Sequence, residues 1–426
     1  MKVIFMTTVA PYPKNVGKKV VLGGMCEFLA ASPAVSETKY LSFEIFDTQA
    51  GLPVTKLPLP TMLQKIRNIF WYALIRRNKS LQESLMYSNN AEKTIIAAVS
   101  EFGPDVIIYD TIRAGQFRRA ITAQNCKHIL YLEDLFSIRY SKMLFAIKQY
   151  RLNDLNAMGN FGIHVPSMFL RIYGRFPFIR TALLKFERAL VMRAEDKSAS
   201  MFDKCLLINN VETSILEQRT GRKNIFTIPP RLEIDECTVG ARSYSSPSFV
   251  FLGSLNLPHN ALSIERFIEN IMPSVIAEIP DMRLDIIGRH ASERLKELVA
   301  LYPGNVNILG FVDNLAERLS TYCAMISPLL FGSGIKIKML DALRAGLPVI
   351  STSVGVEGVY MEETSGVLVT DDITAFPKLM RQLLDPDTNR VASESNRAAY
   401  ETVYSIRKVD AVFSKILLGL PATSVS

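Results

Sequence analysis

Two α/β units, each a doubly wound parallel sheet, are what this sequence predicts, and three observations carry the prediction. A chain of 426 residues has room for two domains of roughly 200 residues each. Through its second half, short apolar runs alternate with longer segments of helical period. Glycines follow those runs directly, at Gly253, Gly288, Gly310 and Gly332-Ser333-Gly334. Loops that leave one edge of a parallel sheet converge, so these four are expected to form one site.

The clearest unit begins at the apolar run Ala324 to Leu330 and continues through Phe331-Gly332-Ser333-Gly334-Ile335-Lys336 to Gly346-Leu347-Pro348-Val349-Ile350. Its order is strand, glycine loop, helix, glycine stop, strand. The glycines beside Ser333 let backbone approach a ligand closely, and the helix behind them offers unpaired N–H groups and the positive end of a dipole, which favour an anion. For a helix over about 335–345, Ile335, Met339, Ala342 and Leu343 share the apolar face, and Lys338 and Asp341 fall off it. Lys336 stands in the first turn, where the dipole disfavours a cation by about 0.3–1 kcal/mol unless a phosphate reverses the sign. The alternative is an ordinary solvated lysine.

Further strands are expected at 249–252, 284–287, 306–309, 324–326 and 349–350, with helices near 260–279, 291–301 and 314–321 and a helical tail beyond Pro386. The first half opens with a strand, Met1 to Met6, and a proline-rich loop that reaches Gly17, Lys18 and Lys19 before an apolar helix. That loop has no Gly-x-Gly-x-x-Gly, which counts against a dinucleotide dehydrogenase. A strand is expected over Thr38 to Phe46, then two helices within 61–100. The first of these carries Lys65, Arg67, Arg76, Arg77 and Lys79 around Ile66, Ile69, Phe70, Trp71 and Leu74. Strands over Pro104 to Asp110 and His128 to Asp134 place Asp110, Glu133 and Asp134 where ligands bind in open α/β sheets, although acids also simply begin loops. After the strand Cys205 to Ile208, Asn209 and Glu212 have capping-box spacing. Residues 229–247 have the composition of a linker.

Composition excludes several classes. Hydrophobic content of 48% with 21% charged residues fits an ordered globular protein. The first apolar run is too short for a signal peptide, and no apolar run reaches the length of about 18 residues that a spanning helix needs. Five scattered cysteines, Cys26, Cys126, Cys205, Cys237 and Cys323, point to a reducing, cytoplasmic compartment. The lone Asp385-Pro386-Asp387 reads as a helix stop, and no His or Cys cluster has ligand spacing, so no metal is expected. A net charge of +8 implies an anionic partner. Nucleic acid is not expected, because no helix-turn-helix or finger pattern appears. From Arg139 to Arg193 no strand period shows, and basic residues interleave with aromatic ones. This segment fits an anionic membrane surface or, equally, a cleft-lining insertion with solvated arginines.

The window from Phe331 to Thr352 resembles the donor-site segment of the retaining glycosyltransferases of the two-domain GT-B type, family 4, also called glycosyl transferases group 1. Asp341-Ala342-Leu343-Arg344-Ala345-Gly346-Leu347-Pro348-Val349-Ile350 follows the second half of that segment, with Asp where Glu is usual. The family's first acidic position, eight residues upstream, is Ser333 here. The turns at Leu252 to Asn256, Ile287 to Arg289 and Gly310 to Asp313 are similar to the family's nucleotide loops.

The resemblance implies two Rossmann-like domains facing a cleft. Residues 1–230 would form an acceptor domain with the insertion at about 139–193, residues 248–395 a nucleotide-sugar domain, and 396–426 a helix crossing back. It implies donor contacts from Gly253, Ser254, Arg289, Phe311, Val312, Gly332, Ser333, Gly334, Ile335, Lys336 and Asp341. Gly17 and Lys18 would line the acceptor side, and Lys336, Asp110 and Asp134 are the candidates for catalysis. Many members carry a cleft histidine; here His128 opens a strand, and none can be assigned. Where many members have an Arg and a Lys after the first strand of this domain, this chain has His259-Asn260. The implied activity is retaining transfer of a sugar from a UDP- or GDP-type donor, without cofactor, to a glycan or lipid-linked acceptor. Surface polysaccharide or glycolipid synthesis at the inner membrane face is the setting it suggests. An inactive nucleotide- or glycan-binding relative, and an epimerase of the same build, are the alternatives.

Overall fold

The computed structural model describes residues 1–14, 16–46, 54–122, 125–150, 177–232, 242, 247–360 and 366–421. The chain divides into two compact units, one formed by Met1–Leu232 with Val409–Ser426 and the other by Glu233–Lys408.

The first unit holds a seven-stranded sheet, all of it parallel, in the order β3-β2-β1-β4-β5-β6-β7. Its strands are β1 (Lys2–Thr7), β2 (Glu37–Ser42), β3 (Val54–Lys56), β4 (Val106–Asp110), β5 (Lys127–Glu133), β6 (Lys204–Leu207) and β7 (Ile225–Thr227). Helices cover both faces, which is why the central strands read as continuous apolar runs: every residue of β4 is buried. The chain lays strands outward from β1 to β3, then returns to begin β4 on the other side of β1, so the switch point lies between β1 and β4.

The second unit repeats the plan with six parallel strands in the order β10-β9-β8-β11-β12-β13. They are β8 (Ser248–Leu252), β9 (Arg283–Ile287), β10 (Val306–Gly310), β11 (Ala324–Ser327), β12 (Val349–Ser351) and β13 (Val367–Val369). Its switch point lies between β8 and β11, the two strands that precede Gly253 and the Gly332-Ser333-Gly334 loop.

Several expectations need correction. The strand expected to Phe46 ends at Ser42, and 61–100 holds three helices, Met62–Asn68 with a widened continuation Ile69–Ile75, Leu81–Met86 and Asn89–Phe102. Asn209 caps its helix through Val211 N instead of Glu212 N, and the Glu212 carboxylate accepts from Leu135 N at 2.6 Å. Asp385 follows the end of the helix Phe376–Gln382 and also starts the next one: it caps Pro386–Val403, accepting from Thr388 N at 2.8 Å, with Pro386 in the first turn, where a missing N–H costs nothing. The basic aromatic segment is helical over Phe136–Tyr150 and Pro177–Met201. Its residues 151–176, and most of the expected linker, lie outside the described residues. No described helix is long and apolar enough to cross a membrane.

Candidate functional site

In the second unit, three of the four glycine loops interlock at the strand ends. Gly253 N donates to Ile287 O at 2.9 Å, Leu255 N to Arg289 O at 2.9 Å, and Gly288 N to Gly310 O at 2.8 Å. A Cβ on Gly288 would stand 2.0 Å from Gly253 O, so only glycine lets these loops approach this closely. At the outer end, the Arg289 guanidinium lies 4.0 Å over the Phe311 ring, and Phe311 is 59% exposed. A flat, charged and exposed pair of this kind offers a stacking surface for a base.

After β11 the backbone turns through Gly332 (φ +150°) and Gly334 (φ +70°), conformations that Cβ-bearing residues rarely adopt. The helix behind them begins at Ile337, two residues later than the sequence suggests: it runs Ile337–Arg344, and Lys336 is its extended N-cap. Ile335 accordingly lies outside the helix and is only half-buried, whereas Met339, Ala342 and Leu343 are fully buried. Lys336 is not solvated. It is 8% exposed, and its Nζ donates back to Ser333 O at 3.1 Å and Gly334 O at 2.6 Å, so the ammonium braces the loop that carries it. Asp341, one turn into the helix, is paired with Arg344 at 3.8 Å.

Lys338, expected on the solvated side, is enclosed. Its residue surface is half-buried, but the ammonium lies 4.7 Å from the Phe251 ring centre and donates to Asn260 Oδ1 at 3.1 Å. Asn260 in turn donates to Ser254 O at 3.0 Å and fills the space over Gly253, where a Cβ would meet its side chain at 2.7 Å. Lys338 therefore ties the helix after β11 to the loop after β8. Burial, with the Lys336 charge beside it, pushes its ammonium down to about 7. The sequence signal for this residue was Asn260 itself, the position where the resembled family has a lysine.

The first unit's switch point gathers a different set. Asp110, wholly buried at the end of β4, accepts from Thr8 N at 3.0 Å and from the Thr8 hydroxyl, and its other oxygen pairs with Lys18 Nζ at 3.0 Å. Lys18 also pairs with Glu133 Oε2 at 3.0 Å. Asp134 is held by Arg139, whose guanidinium lies 4.8 Å over the Phe136 ring. Burial alone would raise the Asp110 pKa, but Lys18, Arg113 and the Thr8 donors outweigh it and hold the carboxyl below the usual range. Thr111 and Glu133, next to these acids, have φ of +63° and +70°, strained values for residues with a Cβ. The structure thus brings Lys18, Asp110 and Glu133 together. Gly17 begins the helix that carries Lys18.

His128 sits at the start of β5, away from these loops. Its Nδ1 is 2.8 Å from the Tyr109 hydroxyl, and burial holds its pKa down at about 4. Among the described residues, no group of three or more His, Cys, Asp or Glu side chains could hold a metal ion.

Residues 246–386 match the family model of glycosyl transferases group 1. An uncharacterized 44.6 kDa protein in the cps region of Klebsiella pneumoniae is 34% identical over 135 residues, 30% of this chain and 35% of that protein. A phosphatidyl-myo-inositol mannosyltransferase of Mycolicibacterium smegmatis is 27% identical over 158 residues, 35% of this chain and 39% of that enzyme. The chain therefore aligns with little more than a third of each curated relative.

Whole-chain likeness is structural. Sucrose-phosphate synthase from Thermosynechococcus elongatus superposes with a TM-score of 0.65 at 15% identity, covering 98% of both chains. Anabaena HepE, solved in complex with UDP-glucose, gives 0.58 at 11% identity, covering 99% of this chain and 100% of that one. At such identities the likeness shows the fold, two parallel-sheet Rossmann-like units of the GT-B type.

Proposed function

We propose, from a second unit that matches the glycosyl transferases group 1 family over residues 246–386, that this chain is a retaining glycosyltransferase using a nucleoside diphosphate sugar. The observation that carries the reading is the buried Lys336 at the mouth of β11, set between a two-glycine loop and a helix start. In the proposal the diphosphate of a UDP- or GDP-type donor rests on the N–H groups of Gly332 to Ile335, and Lys336 swings from the loop carbonyls to the phosphate oxygens. Arg289 and the Phe311-Val312 backbone border the base, Asp341 takes the ribose hydroxyls, and Gly253 and Ser254 close the other side.

Breaking the anomeric C–O bond leaves its electron pair on the terminal phosphate. Oriented amides and the ammonium stabilise that charge without reorganising, the usual source of catalysis in such sites. Lys338 supplies a second cation from the helix after β11, beside Asn260, where many relatives use a lysine after the first strand. No metal is needed in this arrangement. Asp110 and Asp134, locked by Lys18 and Arg139, shape the acceptor side, which takes a glycan or lipid-linked acceptor, and an anionic membrane surface is the third partner we propose. HepE binds UDP-glucose and the mycobacterial relative is named for a lipid mannosyltransferase, which supports a nucleotide-sugar donor and leaves the transferred sugar to be assayed.

One observation favours a second reading. Ser333 stands where the resembled family places its sugar-contacting acid, which fits a relative that binds nucleotide without transferring sugar. Incubation with a panel of nucleotide sugars, scoring released UDP or GDP with and without lipid-extract acceptors, separates the two. Release that depends on acceptor supports transfer, whereas nucleotide binding without release under every condition supports the second reading.

A further inference from the structure

The first unit carries a helix whose amphipathicity is inverted. Met62–Asn68, opened by a reciprocal Thr61 and Gln64 cap, runs on through the widened turns Ile69–Ile75. The residues it buries include Asn68 and Ala73: Asn68 Nδ2 donates to Tyr87 O at 2.8 Å and Ser84 O at 3.2 Å, and Tyr72 packs edge-on against Tyr87. Large apolar side chains point the other way. Leu63 is 81% exposed, Phe70 58%, and Ile66, Trp71, Leu74 and Ile75 are all exposed with them, at the spacing of one helical stripe. Single exposed apolar residues mean little, but a contiguous stripe on an element held down by polar contacts marks a surface that meets something apolar.

Charge decides what that is. No Asp or Glu occurs between Asp47 and Glu83, an interval that holds Lys56, Lys65, Arg67, Arg76, Arg77 and Lys79. Arg67 on the helical run and Arg76 and Arg77 just past its end are exposed, and the Arg76 guanidinium lies 4.8 Å over the Trp71 ring. Apolar side chains flanked by cations, with a tryptophan among them, are suited to the boundary between acyl chains and anionic headgroups. A protein partner burying this face would have to supply both an apolar groove and a uniformly acidic rim; an anionic lipid surface supplies both by its nature.

We propose that Met62–Ile75 is a membrane-insertion element that seats Leu63, Phe70, Trp71 and Leu74 among the acyl chains of an anionic bilayer. This rests on the membrane partner proposed above and names the element that enters the bilayer, as opposed to basic residues adsorbing at its surface. Trp71 is the chain's one tryptophan, so selectively excited tryptophan emission reports on this element alone.

The experiment titrates the full chain with phosphatidylglycerol-containing vesicles and with phosphatidylcholine vesicles, recording Trp71 emission and sedimentation, for the parent and for Phe70→Ser/Leu74→Ser. Because both side chains are exposed, the variant should melt with the parent, which a thermal scan checks. The expected result is a blue shift and sedimentation with the anionic vesicles only, and about tenfold or more weaker partitioning for the variant. Failure of the parent to sediment with anionic vesicles defeats the membrane reading and this inference together. Sedimentation with Trp71 emission unmoved, or a variant that partitions like the parent, leaves the membrane reading standing and overturns the insertion element. A blue shift that grows with protein concentration in the absence of vesicles assigns the face to a second copy of the chain, and likewise overturns it.

Discussion

Between β1 and β4 in the first unit, and between β8 and β11 in the second, the chain reverses the direction in which it lays down strands, and it furnishes the two places with different partners for their cations. In the first, Lys18, Arg113 and Arg139 stand against Asp110, Glu133 and Asp134, with Lys18 bridging two of the acids and Arg139 holding the third. In the second, Lys336 and Lys338 are met by backbone carbonyls and an amide oxygen, and the nearby acid Asp341 is paired with Arg344. The same topology therefore yields one place where cations bridge carboxylates and one where two lysines hold the loops through carbonyl and amide oxygens. Carboxylates matched by cations shape a wall; Lys338, held over the Phe251 ring with the Lys336 charge beside it, favours an anion.

The comparison breaks most visibly at Asp110. If its cluster is a structural one, Asp110→Ala leaves Lys18 and Arg113 partly unmatched in a buried site and should cost about 3–5 kcal/mol in chemical denaturation. A variant as stable as the parent, yet inactive, would move Asp110 into the chemistry. Its depressed pKa gives a sign as well. The carboxylate contributes its stability in full above the ordinary aspartate range and loses it as pH falls through and below that range, so acid should destabilise the parent more than the variant.

Lys338 sharpens the other side. Its folded pKa of about 7 lies below the ordinary 10.5, so between those values the unfolded chain binds more protons than the folded one and stability rises with pH. Below pH 7 the buried charge is a liability. Lys338→Met should therefore gain stability over the parent at pH 6 and lose most of that advantage by pH 10 in paired thermal melts. Equal differences at both values would mean that the ammonium is not buried as described.

How far these contrasts were legible in the sequence depends on segment length and on contacts. Both parallel sheets could be read from runs such as Val106 to Asp110 and Ala324 to Ser327, because strands buried on both faces leave unbroken apolar stretches. The edge strands Val54–Lys56 and Val367–Val369 have three residues each, too few for a period to show. Lys336 stood out as a cation in the wrong place on a helix dipole. Lys338 did not, because a helical wheel fixes the angle of a Cβ, and a four-carbon stem can carry the ammonium back over Phe251. The pairing of Lys18 with Asp110 and Glu133 joins residues far apart in sequence, and nothing local announces it.

The smallest expected effect is that of removing metal. If Lys336, the loop amides and the helix start neutralise the leaving diphosphate, turnover with the true donor should persist in excess EDTA. Complete loss, restored by Mg²⁺ or Mn²⁺, would put a metal where the account puts the protein.

The central claim is that the cationic switch point of the second unit binds a nucleoside diphosphate. Isothermal titration of UDP, GDP and ADP into the parent, Lys336→Ala and Asp341→Ala tests it without knowledge of the sugar or the acceptor. The account predicts that at least one of these nucleotides binds the parent with one-to-one stoichiometry. Each variant should lose a charge-assisted hydrogen bond of roughly 1.5–3 kcal/mol, or about one to two decades in Kd, while remaining folded in a thermal scan. Nucleotide binding that is equally tight in the parent and both variants, or absent from the folded parent, would contradict it.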